Sequence, residues 1–489
     1  MNAALPAPMG LPALEQRLRQ DLEWLEWPAK DWVPRREFDG MRVRDVVVIG
    51  AGMCGLAASA ALKGLGLSNM TILDRAPAGQ EGPWMTYARM ETLRSPKQLT
   101  GPALGLPALT FRAWYEAQFG RAAWNALGKI PRPMWMDYLI WYRRVLSLPI
   151  TNGTSLDAVR PLADDILALD ISDAEGARTI LTRHLVLATG RDGLGGPWVP
   201  PIVHGIDRKF WAHSADDIDF AALKGLRVGV IGAGASAMDN AATALEHGVA
   251  SLDLIVRRKD LPRINKFTGI GSQGVVHGFA GLPDDWKWRF LDYALKAQTP
   301  PPRDSTLRVS RHANSRFHLG SPLLDLAEQD GHLVLTTPKG VHHLDFLIFA
   351  TGFSVDSDLR PELTAVAPFI RFWKDRYAPP PGHDSAELLH APDLGPAFEF
   401  QEKAAGTCPA LSRIHCFNYP AMLSHGKLSG DIPAVSDGAE RLARGIARAL
   451  FVADRETHYR ALMAYDTPEL LGDEWQDADA ELEASHAGT

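Results

Sequence analysis

A chain of 489 residues with a formal net charge of −7 and a pI near 6.2 can bury more than one large core, and its acidic balance argues against a nucleic-acid partner, which wants a basic face. The three cysteines, Cys54, Cys408 and Cys416, form no C-x-x-C pair, which excludes a disulfide framework and a dithiol relay and makes a cytoplasmic setting the expectation. No signal peptide is read at the N-terminus, and the most apolar run, Val46–Leu62, is too short and too rich in turn glycines to span a membrane.

Residues 1–44 precede the first strand. Leu11, Leu14, Leu18, Leu22 and Leu25 recur at threes and fours, so this extension should hold an amphipathic helix lying on the body of the protein. The stretch Val46-Val47-Val48-Ile49 then runs into Gly50-x-Gly52-x-x-Gly55 and an alanine-rich segment. A buried parallel strand, a tight turn and a helix are the expectation. Gly50 permits the turn, Gly52 lets a pyrophosphate approach, and Gly55 lets the helix pack close to the strand. A second strand ends in Asp74, 19 residues past Gly55, the spacing of an acid that accepts a ribose hydroxyl.

Past Asp74, the Gly- and Pro-rich stretch from Arg75 through Gly82 and Trp84 reads as a loop crossing the cofactor, and a polar irregular segment with Ser95 follows. Trp114, Trp124, Trp135 and Trp141 fall in helix-like stretches and read as core. The strand His184–Leu187 ends in Ala188-Thr189-Gly190, small residues that let a strand end pass close to a dinucleotide.

The opening device then repeats. Gly232, Gly234 and Ala237 match Gly50, Gly52 and Gly55, with Ser236 inside the turn. The following strand ends in Arg257-Arg258, where the first repeat has Asp74. A carboxylate receives a free ribose diol and repels a 2′-phosphate, whereas guanidinium groups do the reverse. The first cradle should hold FAD or NAD, and the second NADPH. A later strand ends in Ala350-Thr351-Gly352, and Gly430-Asp431 opens a helix near Arg441–Leu450 whose amides could face a flavin carbonyl. The acidic end, Asp473–Thr489, is read as frayed.

The order of these parts resembles the two-dinucleotide-binding flavoproteins, and more narrowly the flavin-containing monooxygenase class that includes Baeyer–Villiger enzymes and amine N-hydroxylases. The residues that carry it are Gly50-x-Gly52-x-x-Gly55 with Asp74, Gly82-x-Trp84, Ala188-Thr189-Gly190, Phe210-x-x-His213-Ser214, Gly232-x-Gly234-x-Ser236-Ala237 with Arg257, and Asp345 through Phe353. Gly205 stands eight residues ahead of His213 rather than the four of the Baeyer–Villiger fingerprint, and Asp356-Ser357-Asp358 replaces the His-Pro of the N-hydroxylases.

The resemblance implies an α/β chain with two Rossmann-like, doubly wound parallel-sheet domains, the NADPH domain inserted in the FAD domain. The boundaries read as 1–44, 45–218, 219–344 and 345–489. It implies FAD and NADPH as cofactors, and transfer of one oxygen atom of O2 to a small organic substrate through a flavin C4a-hydroperoxide. Two rivals stand beside it: an NADPH-dependent flavin reductase or electron-transfer partner, and a non-catalytic dinucleotide-binding interaction protein. Asn265, Lys266, His213 and His425 are the polar residues near cofactor motifs that could act in catalysis. No metal-ligand spacing stands out, and a homodimer is the oligomeric form considered.

Overall fold

The computed structural model describes residues 9–163 and 165–477. The chain divides into a large compact unit, Met1–Ala447, and a short C-terminal one, Arg448–Thr489. The part of the acidic end beyond residue 477 lies outside the described residues.

The large unit is built on two sheets. The eight-stranded sheet places Met41–Ile49 at its centre, between Met70–Asp74 and Gly176–Leu187. Both neighbours run parallel to it, with Val48 opposite Ile72 and Val186. Val43, Val46, Val47 and Val48 are fully buried, as a strand covered on both faces requires. The edge beyond Gly176–Leu187 turns antiparallel through Leu167–Asp173 and Ser155–Pro161, while Ile414–Cys416 returns late in the chain to pair parallel with Gly176–Leu187.

The second sheet is wholly parallel, in the order Ser315–Leu319, Ser251–Val256, Arg227–Ile231, Phe346–Phe349, Trp211–His213. Its strands Trp211–His213 and Phe346–Phe349 lie outside the segment 219–344, so the inserted sheet is wider in sequence than the motifs alone indicate. Its core joins Val228, Val230, Leu252 and Leu254 to Ala237, Met238, Ala241 and Leu245 of the helix Ala235–Glu246. A three-stranded antiparallel sheet, Asp325–Gln329, His332–Thr337 and Gly340–Leu344, packs beside it, with Leu333, Leu335 and Leu344 meeting Ile255, Leu347 and Phe349.

The aromatic stretch is core, as its spacing suggested. Helices Phe111–Ala126 and Arg132–Val145 bury Trp114, Trp124, Trp135 and Trp141. The hydroxyls of Tyr138 and Tyr142 donate to the carbonyls of Leu109 and Pro102 at 2.6 and 2.7 Å, which keeps these buried polar tips satisfied. The first helix, Leu11–Trp24, buries Leu14 and Leu18 and leaves Trp24 and Leu25 exposed.

Candidate functional site

The first glycine turn is held by sterics that only glycine meets. Gly50 has φ +101°, and a β-carbon there would stand 2.4 Å from the Ala188 carbonyl oxygen. A β-carbon on Gly55 would lie 1.7 Å from the oxygen of Gly50. The glycine turn therefore passes against the backbone of Ala188 at the end of the neighbouring strand. The helix Met53–Gly64 opens at Gly52 with no side-chain cap and no acidic residue in its first turn. Its free amides and dipole face outward, the arrangement that receives a pyrophosphate. The loop expected to cross this place does so: a β-carbon on Gly52 would meet the Cα of Gly82 at 3.6 Å.

Asp74 is buried beside the turn, and one carboxylate oxygen accepts from the Ala51 amide and the other from the Ala76 amide, each at 2.7 Å. The acid therefore braces the cradle from within. Glu81, which sequence reasoning passed over, anchors the crossing loop. It is buried, accepts from the Gly79 amide at 2.8 Å and the Asn152 side chain at 2.7 Å, and pairs with Arg143. Arg75 is exposed and lies 3.9 Å from Asp192. Trp84 meets Trp135 edge-on at 6.2 Å. Ser95 is half-buried in the irregular stretch that follows.

The far side of the cradle comes from residues 418–431. Asn418 donates to the Thr189 hydroxyl at 3.1 Å, the Tyr419 amide donates to the Gly190 carbonyl at 3.2 Å, and the Ser429 hydroxyl donates to the Asn418 carbonyl at 2.6 Å. The Cys54 thiol donates to the Ser429 carbonyl at 3.3 Å. Burial pushes that thiol up to about 12, with Asp431 adding to the effect, so Cys54 stays protonated and serves as a tie, not a nucleophile. A β-carbon on Gly430 would meet no atom within 4 Å, and Asp431 lies 3.6 Å from the Lys427 ammonium.

The second turn repeats the first. Gly232 has φ +141°, and a β-carbon there would stand 2.6 Å from the Ala350 carbonyl oxygen. The helix Ala235–Glu246 opens at Gly234 without a side-chain cap or an acid in its first turn, and its Ser236 carbonyl accepts from the Asn240 side chain at 2.8 Å. Thr351 donates to the Trp198 carbonyl, and the Trp198 amide donates to the Gly352 carbonyl at 2.9 Å. The two arginines part company. Arg257 is exposed at the strand end, whereas Arg258 donates to the Lys296 carbonyl at 2.9 Å. Among the described residues Arg257 makes no such bond, so its guanidinium stands open at the strand end.

The four polar candidates separate on geometry. His425 is stacked on Phe398 at 4.0 Å, donates from Nε2 to the Gly395 carbonyl at 2.9 Å, and is held down to about 3 by burial and by Arg441. His213 is buried, accepts from the Ala215 amide at 3.1 Å, and is lowered by burial. Burial disfavours the imidazolium form of both rings. Lys266 places its ammonium 5.8 Å from the Tyr293 ring centre. Asn265 keeps a buried side-chain oxygen without a hydrogen-bond partner, and His213 likewise keeps its buried Nε2 without one.

The parallel centre of the mixed eight-stranded sheet and the wholly parallel five-stranded sheet each end in an uncapped glycine cradle, which defines a two-dinucleotide-binding α/β fold. The family described as pyridine nucleotide-disulphide oxidoreductase matches residues 47–266. An FAD-dependent urate hydroxylase from Xanthomonas campestris pv. campestris is 43% identical over 467 residues, covering 95% of this chain and 98% of its own. The chain belongs to the family of that FAD-dependent hydroxylase. In fold it is similar to ornithine hydroxylase from Pseudomonas aeruginosa, with TM-score 0.66 at 16% identity over 83% of this chain and 100% of that one. It is likewise similar to ornithine N-hydroxylase from Kutzneria sp. 744, with TM-score 0.64 at 18% identity over 83% and 99%. Among the described residues no helix is long and apolar enough to cross a membrane.

Proposed function

We propose that the protein hydroxylates urate, or a closely related planar purine, using O2, bound FAD and NADPH. The observation that carries the substrate class is the likeness to the urate hydroxylase across nearly the whole of both chains. The opposite charges closing the two cradles support the cofactors: buried Asp74 beside the first, exposed Arg257 at the second. On this reading the eight-stranded sheet carries FAD and the five-stranded sheet carries NADPH. Three free cysteines, two of them buried, fit a reducing cytoplasm.

The residues fit an FAD. Gly52 and Gly82 bring two bare stretches of backbone together, a β-carbon on Gly52 standing 3.6 Å from the Gly82 Cα, and no side chain caps the start of Met53–Gly64. Bound flavin would supply the two-electron and oxygen chemistry. The chain's own part is to brace the adenosine end through Asp74, to keep the thiol of Cys54 out of the redox chemistry, and to hold the pyrophosphate on uncapped amides. The reaction balances when NADPH gives up a hydride and solvent one proton, together two electrons and two protons, one oxygen atom enters the substrate, and the other leaves as water.

The test is oxygen uptake and NADPH oxidation by the purified yellow protein with and without urate. The expected result is urate-dependent acceleration with one NADPH and one O2 consumed per hydroxylated product. Equal rates with and without urate, or faster coupled turnover on ornithine, would overturn the assignment.

A further inference from the structure

Away from both cradles, three strands bring together Asp253, His318 and His342. Asp253 lies on Ser251–Val256, His318 on the neighbouring Ser315–Leu319, and His342 on Gly340–Leu344 of the antiparallel sheet. His318 Nε2 stands 2.9 Å from one oxygen of Asp253, and His342 Nδ1 stands 3.3 Å from the other. The three ligand atoms lie within 4.8 Å of one another, and the two rings meet edge-on with centres 4.5 Å apart.

We propose that Asp253, His318 and His342 form a site for one borderline divalent cation, zinc by preference, which ties the antiparallel sheet to the five-stranded one. Two imidazoles and a carboxylate are the donor set that zinc takes, with water as a fourth ligand. Neighbouring ligands on a tetrahedral zinc with bonds of about 2.0–2.1 Å stand roughly 3.4 Å apart. The three ligand atoms here already lie within 4.8 Å of one another, with the two imidazoles facing separate oxygens of the one carboxylate, so the site would reach that spacing by contracting around the ion.

Charge points the same way. The side chains of Asp253 and His342 are 13% and 9% exposed, and the ion-pair partners of Asp253 among the described residues are these two histidines. A half-buried carboxylate flanked by two imidazoles has no Lys or Arg as counter-charge among the described residues, a charge that a divalent ion supplies. His318 is 26% exposed on its side chain, which leaves room for water at the open position. Each ring would present a lone pair to the ion and carry its proton on the far nitrogen. The strand that carries Asp253 ends next to Arg257, so the clamp would steady the strand that presents the free guanidinium.

The experiment uses tag-free holoprotein, stripped with EDTA, dialysed and titrated with zinc chloride. The expected result is one zinc per chain by elemental analysis, a zinc-dependent rise in Tm, and at least a tenfold weaker Kd in both His318→Gln and His342→Gln. Equal zinc content and an equal Tm rise in the wild type and both variants would overturn the proposal and leave a purely hydrogen-bonded clamp. Should a variant fail to fold, anomalous diffraction at the zinc edge from wild-type crystals decides. A peak among the three side chains supports the site, and its absence overturns it. Neither readout depends on turnover, so failure here is separate from failure of the urate assignment.

Discussion

Gly55 sits directly beneath the carbonyl of Gly50: a β-carbon on Gly55 would lie 1.7 Å from that oxygen, and the atom it would strike is backbone. The equivalent position in the second turn is Ala237, fully buried and accommodated there. The two cradles thus differ in how tightly helix and turn pack.

That difference gives a paired prediction. Gly55→Ala must push the turn or the helix aside, at a cost above the roughly 1–3 kcal/mol typical of overpacking. We expect little soluble yellow protein from it. Ala237→Gly removes a methyl from a helix and costs about 1 kcal/mol, so it should fold with a full flavin complement. The ratio of flavin to protein absorbance checks both.

Asp74 holds the Ala51 and Ala76 amides with its two oxygens, each at 2.7 Å. Asp74→Asn turns one acceptor into a donor facing an N–H. The cost of a buried unsatisfied pair is about 1–3 kcal/mol, which should weaken FAD binding by roughly ten- to a hundredfold. Release of flavin fluorescence on dilution measures it. Unchanged retention would show that the acid does not brace the cradle.

Arg257 and Arg258 are adjacent but unequally placed. Because Arg258 is engaged with the Lys296 carbonyl, Arg257→Ala should raise the KM for NADPH by roughly ten- to a hundredfold, the worth of a charge-assisted hydrogen bond. The KM for NADH should hardly change. Arg258→Ala should have the smaller effect on the NADPH-to-NADH ratio. Steady-state kinetics with both nucleotides test the order, and equal effects on NADPH and NADH would argue against a 2′-phosphate contact.

Stability should fall with acid in a specific window. Burial holds His415 down to about 4 and His425 down to about 3, below the ordinary imidazole value of 6.5. The unfolded chain binds these protons first, so the stabilisation is complete above about 6.5 and is lost as pH falls toward 4. Tm measured from pH 8 to pH 5 should decline below about 6.5. His425→Gln keeps a donor for the Gly395 carbonyl and removes one of the titrating groups, so its decline should be shallower.

Several of these residues were legible before any coordinates. The glycine turns, Asp74, the Ala-Thr-Gly strand ends and Arg257 are local patterns, since each depends on neighbours a few positions away and on a period of two or 3.6. Trp114, Trp135 and Trp141 were readable as core for the same reason. Glu81 was not readable, because its partners Arg143 and Asn152 come from a distant helix and strand. The strands Trp211–His213 and Phe346–Phe349 were too short to announce which sheet they join.

By itself the sequence determined that two glycine turns follow two apolar strands, that the strand after one ends in a carboxylate and the strand after the other in guanidinium groups, and that no C-x-x-C pair is present. Turn sterics and strand-end charge are set within a few bonds of the residues concerned. Only the tertiary structure decided that Asp74 spends both oxygens on backbone amides, that Arg258 is engaged while Arg257 is exposed, and that His213 and His425 are buried. It alone brought Asp253, His318 and His342 to one point. Those outcomes depend on which strands become neighbours, and burial and hydrogen-bond partners across a sheet interface leave no local period to read.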